Sequence, residues 1–154
     1  MKKAVFILLL IAGAILPSCS SNSSSNNPSS GCSDFQFEVT PSEEFIPVGE
    51  TGFFGALVER IDGFDEDIEL TLGQVGPSGN VLTGTDLINA GVVSSFTFSP
   101  QTVSPGQNSA LEISIVPGIA EGVTYEFKVV GTSAESGSRC NGTSFFVTTG
   151  LPGF

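Results

Sequence analysis

The chain has 154 residues, of which sixteen are Asp or Glu and only five are Lys or Arg, for a formal net charge of −11; it has three cysteines and neither histidine nor tryptophan. So acidic a surface repels phosphate backbones and anionic head groups, and no Lys/Arg cluster offsets it, which excludes nucleic acid as a natural partner. The missing histidine removes the usual general base and the usual nitrogen ligand for transition metals.

Lys2 and Lys3 precede an apolar run, Ala4 to Leu16. Its charge and length suit the hydrophobic region of an export signal, and it falls short of the roughly 20 residues a membrane-spanning helix needs. Leu16-Pro17-Ser18-Cys19 follows, and it resembles the lipobox of bacterial lipoproteins. The resemblance implies cleavage before Cys19 and acylation of that residue, so residues 1–18 are expected to leave and Cys19 to anchor the chain in a membrane. Two or more acyl chains anchor stably where one does not. Both signal lysines leave with the peptide, so Arg60, Lys128 and Arg139 remain as the basic residues. Ser20 is not the aspartate associated with inner-membrane retention, so by resemblance the outer membrane or cell surface is favoured.

Residues 19–31 are Ser/Asn-rich and hold nothing to bury; such a stretch is a spacer. From Cys32 the pattern changes to short alternating apolar segments punctuated by Gly, Pro, Ser and Asp, which predicts an all-β domain over 32–149, followed by a tail at 150–154. Strands are expected at Phe35–Val39, ending before Pro41, at Thr51–Ile61, and at Ile68–Leu72. The second is apolar on both faces, predicting a central strand covered on both sides for part of its length. Gly73–Gly91 is glycine-rich and poorly periodic, a long connection with room for one short strand or helical turn. Strands resume at Val92–Phe98, Ser109–Val116, Thr124–Gly131 and Ser144–Thr148, with Asn141-Gly142 predicted to turn the chain before the last. Asn141-Gly142-Thr143 also matches a eukaryotic glycosylation acceptor, a chemistry that the lipobox makes irrelevant.

Seven antiparallel strands without a helical stripe fit an immunoglobulin-like sandwich. Val48-Gly49-Glu50-Thr51, Arg60-Ile61-Asp62-Gly63-Phe64, Phe96-Thr97-Phe98-Ser99-Pro100 and Gly122-Val123-Thr124-Tyr125-Glu126-Phe127 are similar to phrases of bacterial immunoglobulin-like domains. That resemblance implies a fold and an extracellular setting, with no shared activity. In such sandwiches part of the first strand pairs in parallel with the last, which would bring Cys32 and Cys140 to the same end as a disulfide. Tyr125, the single tyrosine, resembles a tyrosine corner, whose hydroxyl bonds nearby backbone.

Asp62, Asp65, Glu66 and Asp67 form the densest acidic cluster. Two readings stand for it: hard oxygen ligands for Ca²⁺, although the spacing is not that of an EF-hand, or a solvated turn. No residue pair marks a catalytic centre, and the chain is read as non-enzymatic. Without histidine a nucleophile would depend on Lys128 or a carboxylate, and nothing singles out one acid pair for glycoside hydrolysis. The expected function is binding or structural support of an envelope protein partner. The alternative is a surface polysaccharide-binding module, calcium-assisted through the acidic cluster. Phe146, alternating with Phe145 and Val147, is either a partner contact on the last strand or a core residue.

Overall fold

The computed structural model describes residues 34–150. The strands are β1 (Phe35–Thr40), β2 (Glu43–Ile46), β3 (Thr51–Arg60), β4 (Ile68–Val75), β5 (Val81–Thr83), β6 (Val93–Ser99), β7 (Thr102–Val103), β8 (Asn108–Ile115), β9 (Thr124–Ser133) and β10 (Arg139–Thr149), with one helix, α1 (Gly84–Asn89). They form two sheets. The small one runs β1-β3-β8-β6; the large one runs β2-β10-β9-β4-β5, with β7 also paired to β4. This is an immunoglobulin-like sandwich.

All seven expected strands are present, with β2, β5 and β7 as additions. The pairing is not wholly antiparallel: β2 runs parallel to β10, with Glu43 opposite Phe146 and Ile46 opposite Thr149. The chain reaches that position by crossing from the small sheet to the large one at Pro41. A second crossing occurs at Pro100, between β6 and β7. Both prolines follow cis peptide bonds. Ser109, buried, donates its hydroxyl to the Pro100 carbonyl at 2.6 Å, and Leu70 N–H donates to Gln101 O at 2.9 Å, so both sheets hold the second crossing.

Alternation along the strands fills the space between the sheets, since successive side chains point to opposite faces. Phe145 of β10 is fully buried and meets Phe54 of the small sheet at 4.9 Å between ring centroids and Phe127 of β9 at 5.8 Å. At the other end of the core Phe35 meets Phe37 at 5.6 Å and Phe64 at 5.1 Å. Each buried phenylalanine contributes on the order of 1.5–3 kcal/mol through its apolar area. Room for the Phe37 ring comes from two glycines. A Cβ at Gly131 would stand 2.5 Å from Phe37 Cζ, and one at Gly142 would stand 2.8 Å from Phe37 Cδ2.

Gly142 therefore corrects an expectation. Asn141-Gly142 does not form a turn; it lies inside β10, where the register with β9 shifts between Asn141 and Ser144. The glycine is needed for close approach of the Phe37 ring. The double covering expected for the second strand also fails. In β3 the residues Phe54, Ala56 and Val58 are buried, whereas Phe53 is 64% exposed on the outer face, because nothing packs against that side of the small sheet among the described residues. The connection expected from Gly73 is more ordered than its composition suggests. β4 continues to Val75, β5 pairs back on it, and α1 follows. A six-residue helix is too short to stand alone; Leu87, fully buried in the core, holds it in place.

Candidate interaction surface

The outward row of the β2-β10-β9 ladder gathers aromatic and charged side chains. Phe146 projects from β10 on the face opposite Phe145, between Glu43 of β2 and Glu126 of β9. Two residues on, Thr148 lies between Phe45 and Thr124. Phe45 is thus diagonal to Phe146 on the same face, a spacing within reach of aromatic rings in a ladder. Phe45 is 50% exposed and Phe146 half-buried. The polar groups around them are fixed locally: Ser144 donates its hydroxyl to Glu126 at 2.5 Å, and the Thr124 and Thr148 hydroxyls lie 2.8 Å apart. Lys128 stands opposite Ser144 on the same row and is half-buried.

This resolves the two placements open for Phe146. Strand alternation alone puts Phe145 and Phe146 on opposite faces, but only the position of the small sheet decides which face is the core. Phe45 was not anticipated. Its signal is the local phase of Glu43-Glu44-Phe45-Ile46, where Ile46 turns inward and Phe45 outward; the segment is too short for periodicity to settle without its partner strand.

The acidic cluster is divided among separate duties. Asp62 (φ 46°) and Gly63 (φ 83°) are the central residues of a tight turn closed by Phe64 N–H to Ile61 O at 3.1 Å, with the positive φ pair of a type I′ turn. Asp65 is exposed. Glu66 accepts from the Ser133 hydroxyl and from the Ser136 backbone N–H at 3.0 Å. These hydrogen bonds favour the carboxylate, the Ser133 hydroxyl most, and lower its pKa below the usual 4.5. Asp67 accepts from the Ser104 hydroxyl at 2.6 Å, and its carbonyl accepts from Ala134 N–H at 2.8 Å. Among the described residues no three carboxylates or thiols are placed to hold a metal ion. The loop ties the β3–β4 connection to the β9–β10 hairpin.

Cys140 is buried within β10, 4% exposed, with its sulfur 3.2 Å from the carbonyl oxygen of Phe35. The start of β1 and the start of β10 are therefore neighbours. Cys32, the expected partner, and Cys19, the expected lipid site, lie outside the described residues. Tyr125, the second residue of β9, is half-buried with its ring against the core. A groove of about 520 Å³ opens between the end of β1, from Phe37 to Ser42, and Thr143 and Ser144 of β10, and Glu38 is the one ionisable group in its lining.

No protein family model matches the chain, and no curated protein is similar to it at a significant level. Among solved structures, similarity is found to the CsuC–CsuE chaperone–tip adhesion subunit complex of archaic chaperone–usher Csu pili of Acinetobacter baumannii, at 11% identity and TM-score 0.39, over 74% of this chain and 51% of that one. Domains 4 and 5 of the S-layer protein SbsC are similar at 11% identity and TM-score 0.44, over 75% of this chain and 51% of that one. A chain from a structure on T cell specificity and activation by the bacterial superantigen toxic shock syndrome toxin-1 is similar at 9% identity and TM-score 0.47, over 75% of this chain and 98% of that one. This chain thus spans about half the length of the first two.

Proposed function

We propose that this is a lipid-anchored module of a bacterial envelope, held through Cys19 and the Ser/Asn-rich spacer, which binds a protein partner through the outer face of β2-β10-β9. The observation that carries the reading is the placement of Phe45 and Phe146 on one outward face, diagonal to each other, with Phe146 between Glu43 and Glu126. An exposed and a half-buried aromatic on neighbouring strands of a rigid sheet are contact groups that lose little entropy on binding, and the carboxylates flanking Phe146 select a partner with basic residues at the rim. The module is non-catalytic in this reading. Cys32 and Cys140 form a disulfide that fastens the start of the domain to β10, consistent with the proximity of Cys140 to Phe35.

The test is chemical cross-linking in intact source cells with the wild-type chain and with Phe45→Ser/Phe146→Ser. A dominant protein adduct that disappears in the double variant, while folding is retained, supports the reading. An adduct unchanged by the substitutions places the interface elsewhere. Intact mass of the membrane-extracted chain checks the anchor, for which acyl increments at Cys19 are expected; a mature mass without them removes it.

A further inference from the structure

The outermost strands of a sheet expose unpaired N–H and C=O groups that invite another strand, and natural edges are guarded by charge, proline or short length. Most edges of this sandwich are guarded. β1 carries Glu38; β2 has four residues, two of them Glu43 and Glu44; β5 and β7 have three and two residues. β6 is different. It has seven residues, Val93–Ser99, none charged, and it lies in a stretch from 87 to 111 without a single Asp, Glu, Lys or Arg.

One side of β6 is used by its ladder with β8. Among the described residues, none from Val93 to Ser99 makes a backbone hydrogen bond outside that ladder. Ser95, Thr97 and Ser99 are exposed. Phe96 faces the sandwich interior opposite Ile113 but is only half-buried, its ring edge-on to Phe98 at 6.4 Å. The open edge therefore combines free backbone groups with an incompletely covered aromatic ring at the rim.

We infer that β6 pairs with the β6 of a second copy of this chain, antiparallel about a two-fold axis, joining the two small sheets into one. This goes beyond the partner reading above and uses a different edge. Charge selects the occupant. Two copies, each with sixteen acids against five basic residues, repel one another. A self-contact through β2 would oppose Glu43 and Glu44 to their own counterparts, and one through β1 would do the same with Glu38. β6 is the edge of useful length at which two such chains meet without facing carboxylates. A basic foreign strand, by contrast, finds no carboxylate on β6 itself; the nearest on its outward face is Glu112 of β8, opposite Thr97.

Sedimentation velocity of the full chain, in detergent micelles kept in excess, tests this. A dimer is expected that strengthens as salt rises from about 0.1 M to about 1 M, because the Debye length falls from about 10 Å to about 3 Å and screens the repulsion between copies. Ser95→Lys/Thr97→Lys places lysines on the outward row of both copies, whichever residue lies on the axis, and should weaken the dimer at least about tenfold. Gln36→Lys/Glu38→Gln makes the same charge change on the opposite edge and should leave it intact. A monomer at every concentration and salt, or a dimer indifferent to the β6 lysines, overturns the inference. Only this chain is present, so either result is independent of whether Phe45 and Phe146 hold a partner.

Discussion

Phe145 and Phe146 are neighbours on β10 with opposite duties. Phe145 is sealed between Phe54 and Phe127 and joins the two sheets; Phe146 stands on the outer face between two glutamates, diagonal to the exposed Phe45. The same side chain, moved by one residue, changes from a contributor to stability into a candidate contact. What separates them is which face the small sheet covers, so substitutions at the two positions should separate stability from binding.

The largest effect is expected at Phe145. Phe145→Ala removes a fully buried ring at the junction of both sheets and should cost about 3–5 kcal/mol, read as a lower denaturation midpoint. Reduction should cost about 2–4 kcal/mol through the proposed Cys32–Cys140 bond, whose closed loop would span nearly the whole domain; an unchanged denaturation curve after reduction would remove the staple. Phe45→Ser, on the outer face, should shift stability by no more than about 0.5 kcal/mol while abolishing the cross-linked partner. If it unfolds the domain instead, the outer face serves packing and the contrast between faces collapses.

The smallest effect concerns Glu66. Its folded pKa is lowered by the Ser133 and Ser136 hydrogen bonds. Its contribution is therefore present above the unfolded value near 4.5 and is lost as pH falls through the lower folded value. Glu66→Gln should lower stability slightly at neutral pH, flatten the acid limb of the profile, and converge on wild type once pH falls below the folded value. A profile identical to wild type from neutral pH through the acid limb would show that the serine clamp contributes nothing.

The sandwich was legible in the sequence because its seven long strands alternate. Each position such as Phe35, Phe37 and Val39, or Leu111, Ile113 and Ile115, needs only period two to be assigned inward. The short elements were not legible. β2 has no periodicity of its own and exists because β10 offers an open edge after Pro41; α1 exists because Leu87 finds the core. Gly142 looked like a turn because the residue that explains it, Phe37, is a hundred positions away in sequence. The acidic cluster looked like an ion site for a related reason: Ser104, Ser133 and Ser136, which hydrogen-bond Glu66 and Asp67, come from the β7–β8 connection and from the end of β9 and the connection after it. The candidate surface was half legible, with Phe146 flagged and Phe45 missed, since its face is set by a parallel pairing across a hundred residues.

The most direct measurement is site-specific photo-cross-linking in intact cells, with the photoreactive residue placed at position 146 in one strain and at position 53 in another. Phe53 is a fair comparison, an exposed ring standing singly on the outer face of the other sheet. The account predicts one dominant protein adduct from position 146 and none from position 53. Equal adducts from both, or adducts from position 53 alone, would contradict it.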